Sequence, residues 1–252
     1  MATITLGDTA LKRIGLGTNR LRNTPANVAF VQDAVAAGIR LIDTAHSYTD
    51  GESEQTIGAA LSPSRNGRFV ATKGGYRSGR PEVLSDEIDE SLRRLRTDSI
   101  DLYYIHKPDP ETPLEEGLKV IKEYRERGVI QHIGVSNVSV AQIERAREVA
   151  PIAAVQNPYN LSERTHDEVV DYCAGNDIVF VAYFPLRAEG GPVAAEIAKR
   201  HGATPAQIAL AWLLRRSPAT LPIPGTLSPE HLRENLAAAE IDLTDEEFEA
   251  LR

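Results

Sequence analysis

Short apolar runs alternate along the chain with longer segments in which apolar residues recur at helical spacing. Short runs bounded by turn residues predict buried strands, and the longer periodic segments predict amphipathic helices. We predict eight strands, near Gly15–Gly17, Leu41–Asp43, Phe69–Thr72, Ile100–Ile105, His132–Ser136, Ala153–Gln156, Val179–Tyr183 and Thr220–Ile223. Two earlier runs, Ala2–Leu6 and Leu11–Ile14, predict a β-hairpin ahead of them.

Strands that alternate with helices of about ten or more residues are typical of parallel βαβ units. Eight evenly spaced units favour an α/β fold of the (β/α)8, or TIM, barrel type. The alternative is a doubly wound open sheet, which normally carries a glycine-rich phosphate loop after an early strand. The segment Gly15–Asn19 lacks the third glycine of that loop, so the closed barrel is favoured.

Capping signals predict where the helices begin and end. Four segments fit the capping box, in which a hydroxyl residue bonds the backbone three residues later, and they start at Thr112, Ser139, Thr204 and Thr244. Glycines that predict left-handed helix caps lie at Gly38, Gly128, Gly175 and Gly202. No linker or shift in composition divides the chain, so we predict one domain over residues 1–252, with short loops at the barrel rim.

Composition and charge narrow the class of function. A chain of 252 residues has the usual size of one barrel, and 25% charged and 42% hydrophobic residues are ordinary for a soluble protein. The net charge of −8 disfavours binding to nucleic acid or to an anionic membrane surface. No apolar segment is long enough to predict a membrane-spanning helix, and the N-terminus lacks the pattern of a secretory signal. We therefore expect a cytoplasmic protein.

The cysteine and histidine content argues against disulfide and metal chemistry. The single cysteine, Cys173, cannot form an intramolecular disulfide, and its apolar neighbours predict a small buried side chain on a helix. The six histidines show no short ligand spacing, so we predict no metal site. A monomer is common among barrels of this kind, and we expect one here.

Four polar side chains follow the carboxyl ends of three predicted strands. Asp43 ends one strand and Tyr48 follows it, Lys73 ends the next, and His106 ends the one after that. Taken singly, each has an ordinary structural interpretation, as a turn residue, a packing residue or a surface charge. Because barrel enzymes place their catalytic groups at this rim, the four together predict an active site.

The chemistry of these four groups suits the reduction of a carbonyl. A phenol has a pKa near ~10, too high for an efficient acid at neutral pH, and we expect the Lys73 ammonium to lower the pKa of Tyr48. Asp43 would keep Lys73 charged, and a neutral His106 would donate a hydrogen bond to a substrate oxygen. Such a set protonates a developing alkoxide, which is half of a carbonyl reduction. The other half is a hydride.

Eight short motifs, each at a predicted strand end, carry a family resemblance. They are Gly15-Leu16-Gly17-Thr18, Ile42-Asp43-Thr44-Ala45 with Tyr48, Ala71-Thr72-Lys73, Ile105-His106, Gly134-Val135-Ser136-Asn137, Val155-Gln156-Asn157, Ala182-Tyr183 with Pro185-Leu186, and Ile223-Pro224-Gly225-Thr226. Over nearly its whole length the chain resembles the aldo-keto reductase superfamily. The resemblance implies that Asp43, Tyr48, Lys73 and His106 match the catalytic tetrad of that family without a substitution.

The resemblance also implies a small-molecule carbonyl substrate and NADPH as cofactor. Ser136, Asn137 and Gln156 match the residues that hold the nicotinamide carboxamide, although Ser136 and Asn137 could instead cap the following helix. Tyr183 matches the aromatic residue on which the nicotinamide ring stacks, and Leu186 matches a backbone contact to the pyrophosphate. The remaining expected cofactor positions are Gly17, Thr18, Asn19, Asp43, Phe184, Pro185, Ile223, Pro224, Gly225, Thr226, Ser228 and His231, with Glu234 and Asn235 at the adenine.

The chain departs from the family at the expected 2′-phosphate contacts. Many relatives place a lysine and an arginine where this chain has Gly225 and His231, leaving Thr226 and Ser228 as hydroxyl donors. NADH therefore remains an alternative cofactor. The alternative for His231 is a solvent-exposed helix residue that makes no contact with the cofactor. Ser228 before Pro229 predicts a helix N-cap, and a helix N-terminus attracts phosphate.

The predicted rim is short and polar. Relatives with narrow specificity carry long loops where this chain runs directly from Lys73 to Pro81, so we expect a shallow, open pocket for varied substrates. Asn19 and Lys107 stand where many relatives have tryptophan, which predicts a more polar pocket. Two other functions remain open: a non-catalytic nicotinamide-binding sensor, and a lyase that uses Lys73 as a Schiff-base nucleophile.

Overall fold

The computed structural model describes residues 3–62, 67–187 and 190–252. Its strands are β1 (Thr3–Leu6), β2 (Thr9–Lys12), β3 (Leu16–Gly17), β4 (Leu41–Asp43), β5 (Phe69–Gly74), β6 (Ile100–Ile105), β7 (Ile130–Ser136), β8 (Ile152–Pro158), β9 (Val179–Tyr183) and β10 (Thr220–Pro222). Its α-helices are α1 (Pro25–Ala36), α2 (Glu52–Leu61), α3 (Pro81–Leu95), α4 (Leu114–Glu126), α5 (Val140–Val149), α6 (Asp167–Gly175), α7 (Gly191–His201), α8 (Pro205–Arg216), α9 (Pro229–Ala237) and α10 (Asp245–Ala250). Short 3-10 turns cover Tyr48–Gly51 and Ala238–Glu240.

Strands β3 to β10 pair in sequence order, and every pair between them is parallel. The first and last strands meet as well, because the Gly15 amide donates to the Pro222 carbonyl at 3.0 Å and a parallel bridge joins Gly17 to Gly225. A Cβ atom on Gly17 would lie 2.7 Å from the Ile223 carbonyl oxygen, so this close approach requires glycine. The closed (β/α)8 barrel predicted from the sequence is confirmed.

Side chains alternate between the barrel interior and the layer beneath the helices. On β6, Leu102 and Tyr104 join the apolar cluster inside the barrel, whereas Tyr103 and Ile105 join the larger cluster that packs against the helices. A strand buried on both sides needs apolar residues at nearly every position, which explains the continuous runs in the sequence. Polar residues are then left for the strand ends.

The hairpin β1–β2 covers the amino-terminal end of the barrel. Its strands are antiparallel, and Leu6 and Leu11 are buried in the interior cluster with Leu41 and Phe69. The predicted hairpin is confirmed, with its second strand earlier than expected, while Ala2 lies outside the described residues. With this end closed by apolar side chains, the opposite end is left for a site.

Three of the four predicted capping boxes are confirmed, at Ser139, Thr204 and Thr244. The box at Thr112 is wrong, since α4 begins one residue later than expected and Pro113 takes the N-cap without a side-chain acceptor. The left-handed cap at Gly175 is also wrong. That glycine belongs to α6, and Asp177 adopts the positive φ of 55° instead.

Cys173 lies on α6 and is buried, as its apolar neighbours predict. Burial raises the pKa of its thiol to about 12, so the unreactive thiol form persists at physiological pH. No helix among the described residues is both long and apolar enough to cross a bilayer.

Candidate active site

The predicted catalytic residues meet at the carboxyl end of the barrel. Asp43 ends β4, Lys73 lies near the end of β5, and His106 directly follows β6. Parallel pairing of these strands places the three residues at one rim, as their positions in the sequence predict. Tyr48 is carried to the same rim by the 3-10 turn after β4.

Lys73 is the centre of a buried ion pair. Its Nζ donates to Asp43 Oδ1 at 2.6 Å, to the Thr44 carbonyl at 2.6 Å and to Tyr48 Oη at 3.4 Å. Lys73 and Asp43 are each only 1% exposed. Burial alone would lower the pKa of Lys73, but attraction to Asp43 and Tyr48 outweighs it, so the pKa is raised and the ammonium persists.

The turn that holds Tyr48 is fixed by its surroundings. The Tyr48 amide donates to the Ala45 carbonyl at 3.1 Å, and the Thr49 hydroxyl donates to the Leu21 carbonyl at 2.8 Å. Gly51 has a φ of 89°, and a Cβ there would lie 2.3 Å from the Arg94 guanidinium carbon. The turn therefore needs glycine at this position to place the phenol over Lys73.

The pKa of Tyr48 is raised, whereas the sequence led us to expect a lowered value. Burial is the largest cause and disfavours the phenolate; Lys73 acts in the expected direction but offsets only part of it. The tyrosine is therefore a phenol at neutral pH and holds a proton that it can donate. The ammonium lowers the cost of releasing that proton without removing it in advance.

His106 faces Tyr48 as a neutral imidazole. Its ring lies edge-on to the Tyr48 ring with 5.7 Å between centroids, and its amide donates to the Gly74 carbonyl at 2.7 Å. Burial lowers the pKa of His106 to about 3, with help from the charges of Lys73 and Lys107. A lowered pKa favours the neutral ring expected from the sequence, and a neutral ring has one N–H with which to orient a substrate oxygen.

The low pKa of His106 predicts a pH-dependent contribution to stability. Between its folded pKa of about 3 and its ordinary value of 6.5, the unfolded chain binds a proton that the folded chain does not. The free energy of unfolding should therefore fall on acidification below pH ~6.5, by up to about 1.4 kcal/mol per pH unit. His106→Gln should lose less stability than wild type between about pH 7 and pH 5 in urea denaturation. Equal losses would contradict this assignment.

The predicted carboxamide-binding residues form a connected group beside the ion pair. Gln156 Nε2 donates to Asp43 Oδ2 at 2.8 Å, and Tyr183 Oη donates to Asn137 Oδ1 at 2.7 Å. Asn137 Nδ2 donates to the His106 carbonyl at 2.9 Å and lies 3.0 Å from Ser136 Oγ. Each amide is thus held in one orientation, which suits a ligand that needs donors and acceptors in fixed directions.

These residues border a cavity of about 860 Å³ at the rim. Most sequence-predicted positions line it: Gly17, Thr18, Asn19, Asp43, Tyr48, His106, Ser136, Asn137, Gln156, Tyr183, Phe184, Pro185, Leu186, Ile223, Pro224 and Gly225. Lys73 lies beneath the cavity rather than in its lining, so its amine is enclosed by the ion pair. The half-buried Tyr183 ring and the amide group on the same cavity wall fit a nicotinamide.

Five predicted cofactor residues lie outside the cavity lining: Thr226, Ser228, His231, Glu234 and Asn235. Ser228 is the N-cap of α9, as predicted, and its hydroxyl accepts the His231 amide at 3.3 Å. Asn235 is buried, and the Glu234 carbonyl accepts a hydrogen bond from Gln207. These residues follow the lining residues Pro224 and Gly225 along the chain; Thr226 precedes α9, Ser228 caps it, and the other three lie within it.

Four lining residues were not predicted as site residues: Arg20, Tyr76, Lys107 and Arg187. Tyr76 comes from the short loop between β5 and α3, and its ring lies 4.8 Å from that of His106. Arg187 places its guanidinium 4.6 Å from the Phe184 ring centroid. Arg20, Lys107 and Arg187 each directly follow a predicted site residue, and this adjacency is the sequence signal that could have found them, whereas Tyr76 has no such signal. The described residues contain no group of three or more acidic, histidine or cysteine side chains able to hold a metal.

Comparison with known proteins gives one consistent family. A family model described as the aldo/keto reductase family matches residues 13–193 and 187–252. Pyridoxine 4-dehydrogenase of Escherichia coli (strain K12) is 35% identical over 280 residues, which cover 99% of this chain and 96% of that protein. An uncharacterized oxidoreductase of Schizosaccharomyces pombe is 35% identical over 271 residues, covering 99% of this chain and 88% of that one.

Solved structures of aldo-keto reductases superpose on the whole length of this chain. A thermostable aldo-keto reductase in complex with the inhibitor epalrestat superposes with a TM-score of 0.93 at 37% identity, covering 100% of this chain and 98% of that one. An aldo-keto reductase of Klebsiella pneumoniae in complex with NADPH gives a TM-score of 0.91 at 29% identity, covering 100% and 94%. The chain belongs to the aldo/keto reductase family and is an NAD(P)H-dependent oxidoreductase.

Proposed function

We propose that this protein reduces an aldehyde or ketone to the alcohol with NADPH, or runs the reverse oxidation, with Tyr48 as the general acid. The observation that carries the proposal is the contact of Tyr48 Oη with the buried Lys73–Asp43 pair, beside a neutral His106. A bound nicotinamide supplies the hydride. The protein residues hold the substrate carbonyl and provide the proton.

In this mechanism the carbonyl oxygen lies between the Tyr48 hydroxyl and the His106 ring. His106 donates a hydrogen bond that fixes the oxygen, and Tyr48 transfers its proton as negative charge develops there. Lys73, 3.4 Å from Oη, stabilises the phenolate that remains. Tyr48 holds its proton at neutral pH and can donate it to the developing alkoxide.

The amide residues join the cofactor to this chemistry. Ser136, Asn137 and Gln156 would hold the carboxamide, and the Tyr183 ring would support one face of the nicotinamide. Gln156 also bonds Asp43, so an amide that touches the cofactor is linked to the group that orients Lys73. Lys73 is enclosed by its three hydrogen-bond partners, which disfavours the alternative of a Schiff-base lyase.

The proposal is tested by NADPH oxidation with a reactive aromatic aldehyde, followed by its absorbance. We expect turnover in the wild type that depends on Tyr48. Pyridoxal belongs in the substrate panel because a relative is named pyridoxine 4-dehydrogenase. Tight NADPH binding without turnover of any carbonyl would contradict the proposal and would favour a nicotinamide-binding sensor.

We further propose that this enzyme prefers NADPH to NADH as its cofactor. We expect this preference to be smaller than in relatives that carry a lysine and an arginine where this chain has Gly225 and His231. His231→Arg should raise the NADPH-to-NADH ratio of kcat/KM about tenfold, since a guanidinium pairs with a 2′-phosphate that NADH lacks. His231 is exposed near the start of α9, so the longer side chain has room. Gln131→Arg, on an exposed site of β7, adds the same charge elsewhere and should leave the ratio unchanged. An unchanged ratio in His231→Arg would place the phosphate away from α9.

A further inference from the structure

A row of four side chains leads from the proposed proton donor to a cation. The Tyr48 ring contacts His106 at 5.7 Å between centroids, and His106 contacts Tyr76 at 4.8 Å. Lys107 Nζ then lies 4.6 Å from the centroid of the Tyr76 ring. All four residues line the same cavity. A substrate whose carbonyl meets Tyr48 can therefore extend over Tyr76 toward Lys107.

The Lys107 ammonium has unused hydrogen-bond donors. Across the described residues its ammonium forms no ion pair or hydrogen bond and only contacts the face of Tyr76. The carboxylate two residues away, Asp109, is taken up by backbone amides, with Gly79 at 2.7 Å and Glu111 at 2.9 Å. An ammonium held on an aromatic face with unused N–H groups is suited to bind an anion.

The charges around the cavity favour the same kind of ligand. Arg20 and Arg187 join Lys107 in the described lining, whereas Asp43 is its only carboxylate and is paired with Lys73. The chain as a whole carries −8, so this mouth is a cationic region on an acidic protein.

We propose that Lys107, seated on Tyr76, selects carbonyl substrates that carry an anionic group, either a carboxylate or a phosphate ester, on a flat or extended spacer. The inference rests on the proposed function, because it assumes that the carbonyl binds at Tyr48 and His106. Tyr76 is 47% exposed and offers an apolar ring face to the spacer. Lys107 takes no part in hydride or proton transfer; it positions the far end of the substrate.

The test compares 4-formylbenzoate with its uncharged methyl ester, and adds 4-formylphenyl phosphate as the phosphate-bearing substrate. We expect wild type to prefer the carboxylate to the ester by about tenfold in kcat/KM, and added salt to reduce this preference. Lys107→Met should remove the preference by raising KM for the anions, with the ester changed less than about twofold, while Lys107→Arg should retain it. Lys119 is an exposed residue of α4, away from the cavity. Lys119→Met removes the same charge there and should behave as wild type.

An equal carboxylate-to-ester ratio in wild type and Lys107→Met would overturn the inference, and so would a preference of wild type for the ester. Comparison of kcat/KM for 4-formylphenyl phosphate with that for 4-formylbenzoate identifies the favoured anion. A loss of kcat/KM for either anion in Lys107→Met supports the inference. If wild type reduces none of the three aldehydes, the proposed function fails on its own. In that case the dissociation constant of 4-(hydroxymethyl)benzoate, measured by calorimetry, tests whether Lys107 binds the anion. Binding about tenfold weaker in Lys107→Met than in wild type supports the inference. Equal binding in the two proteins, or no binding to wild type, overturns it.

Discussion

Tyr48→Phe is expected to lower kcat for aldehyde reduction by about a hundredfold to ten-thousandfold, the usual range for removing a positioned general acid. The substitution removes the hydroxyl that contacts Lys73 Nζ at 3.4 Å and keeps the ring that packs against His106. The amide residues around Asn137 and Gln156 are untouched. The dissociation constant for NADPH should therefore change less than about twofold.

Single-turnover kinetics and NADPH titration measure the two quantities separately. Tyr172→Phe is the matched control, because its hydroxyl bonds Arg147 on the helical surface outside the cavity. That variant should retain full activity. If Tyr48→Phe reduces aldehydes at nearly the wild-type rate, the proton comes from another group and the proposed mechanism is wrong.

Lys73→Met should lower both turnover and stability, the latter by about 3–5 kcal/mol. Removing the ammonium leaves the Asp43 carboxylate buried, with the Gln156 amide as its remaining side-chain partner in the described contacts. Burial already raises the pKa of Asp43, and loss of Lys73 raises it further. Because a proton can neutralise the carboxyl group, the stability deficit relative to wild type should shrink as the pH falls toward ~4.

A double variant separates stability from chemistry. Lys73→Met with Asp43→Asn removes both charges and should recover most of the lost unfolding free energy in urea denaturation, since no unpaired charge stays buried. It should not recover turnover, because nothing then stabilises the Tyr48 phenolate. Lys119→Met controls for loss of a lysine at an exposed position. Wild-type stability in the single variant, or restored turnover in the double variant, would contradict the role given to the pair.

The barrel and the position of its active rim could be predicted because both follow from local pattern. A strand buried on both faces is apolar at nearly every position until it reaches the rim of the barrel. The polar residues Asp43, Lys73 and His106 therefore mark the strand ends. The strands at Ile130–Ser136 and Ile152–Pro158 are longer than predicted. Their added residues include polar or turn-forming types that a pattern search excludes.

What the sequence could not provide depends on three-dimensional burial and on loops. The raised pKa of Tyr48 reflects desolvation, which is set by how closely neighbouring segments cover the ring and is not visible in residue order. Tyr76 enters the cavity from a loop without periodicity, so no pattern points to it. The direction of Lys73, beneath the cavity and away from its lining, is likewise a property of the closed barrel.

The seam at Gly17 and Gly225 joins parts of the chain that are far apart in sequence, through strands of only two and three residues. Contacts of such long separation cost the most loop entropy and tend to form late in folding. Residues on both sides of this seam line the cavity, so a dinucleotide bound there would hold the first and last strands of the barrel together. At a hundred times its dissociation constant such a ligand adds about 2.7 kcal/mol to stability. We therefore expect bound cofactor to slow proteolysis of this enzyme, because cleavage follows the population of opened chain.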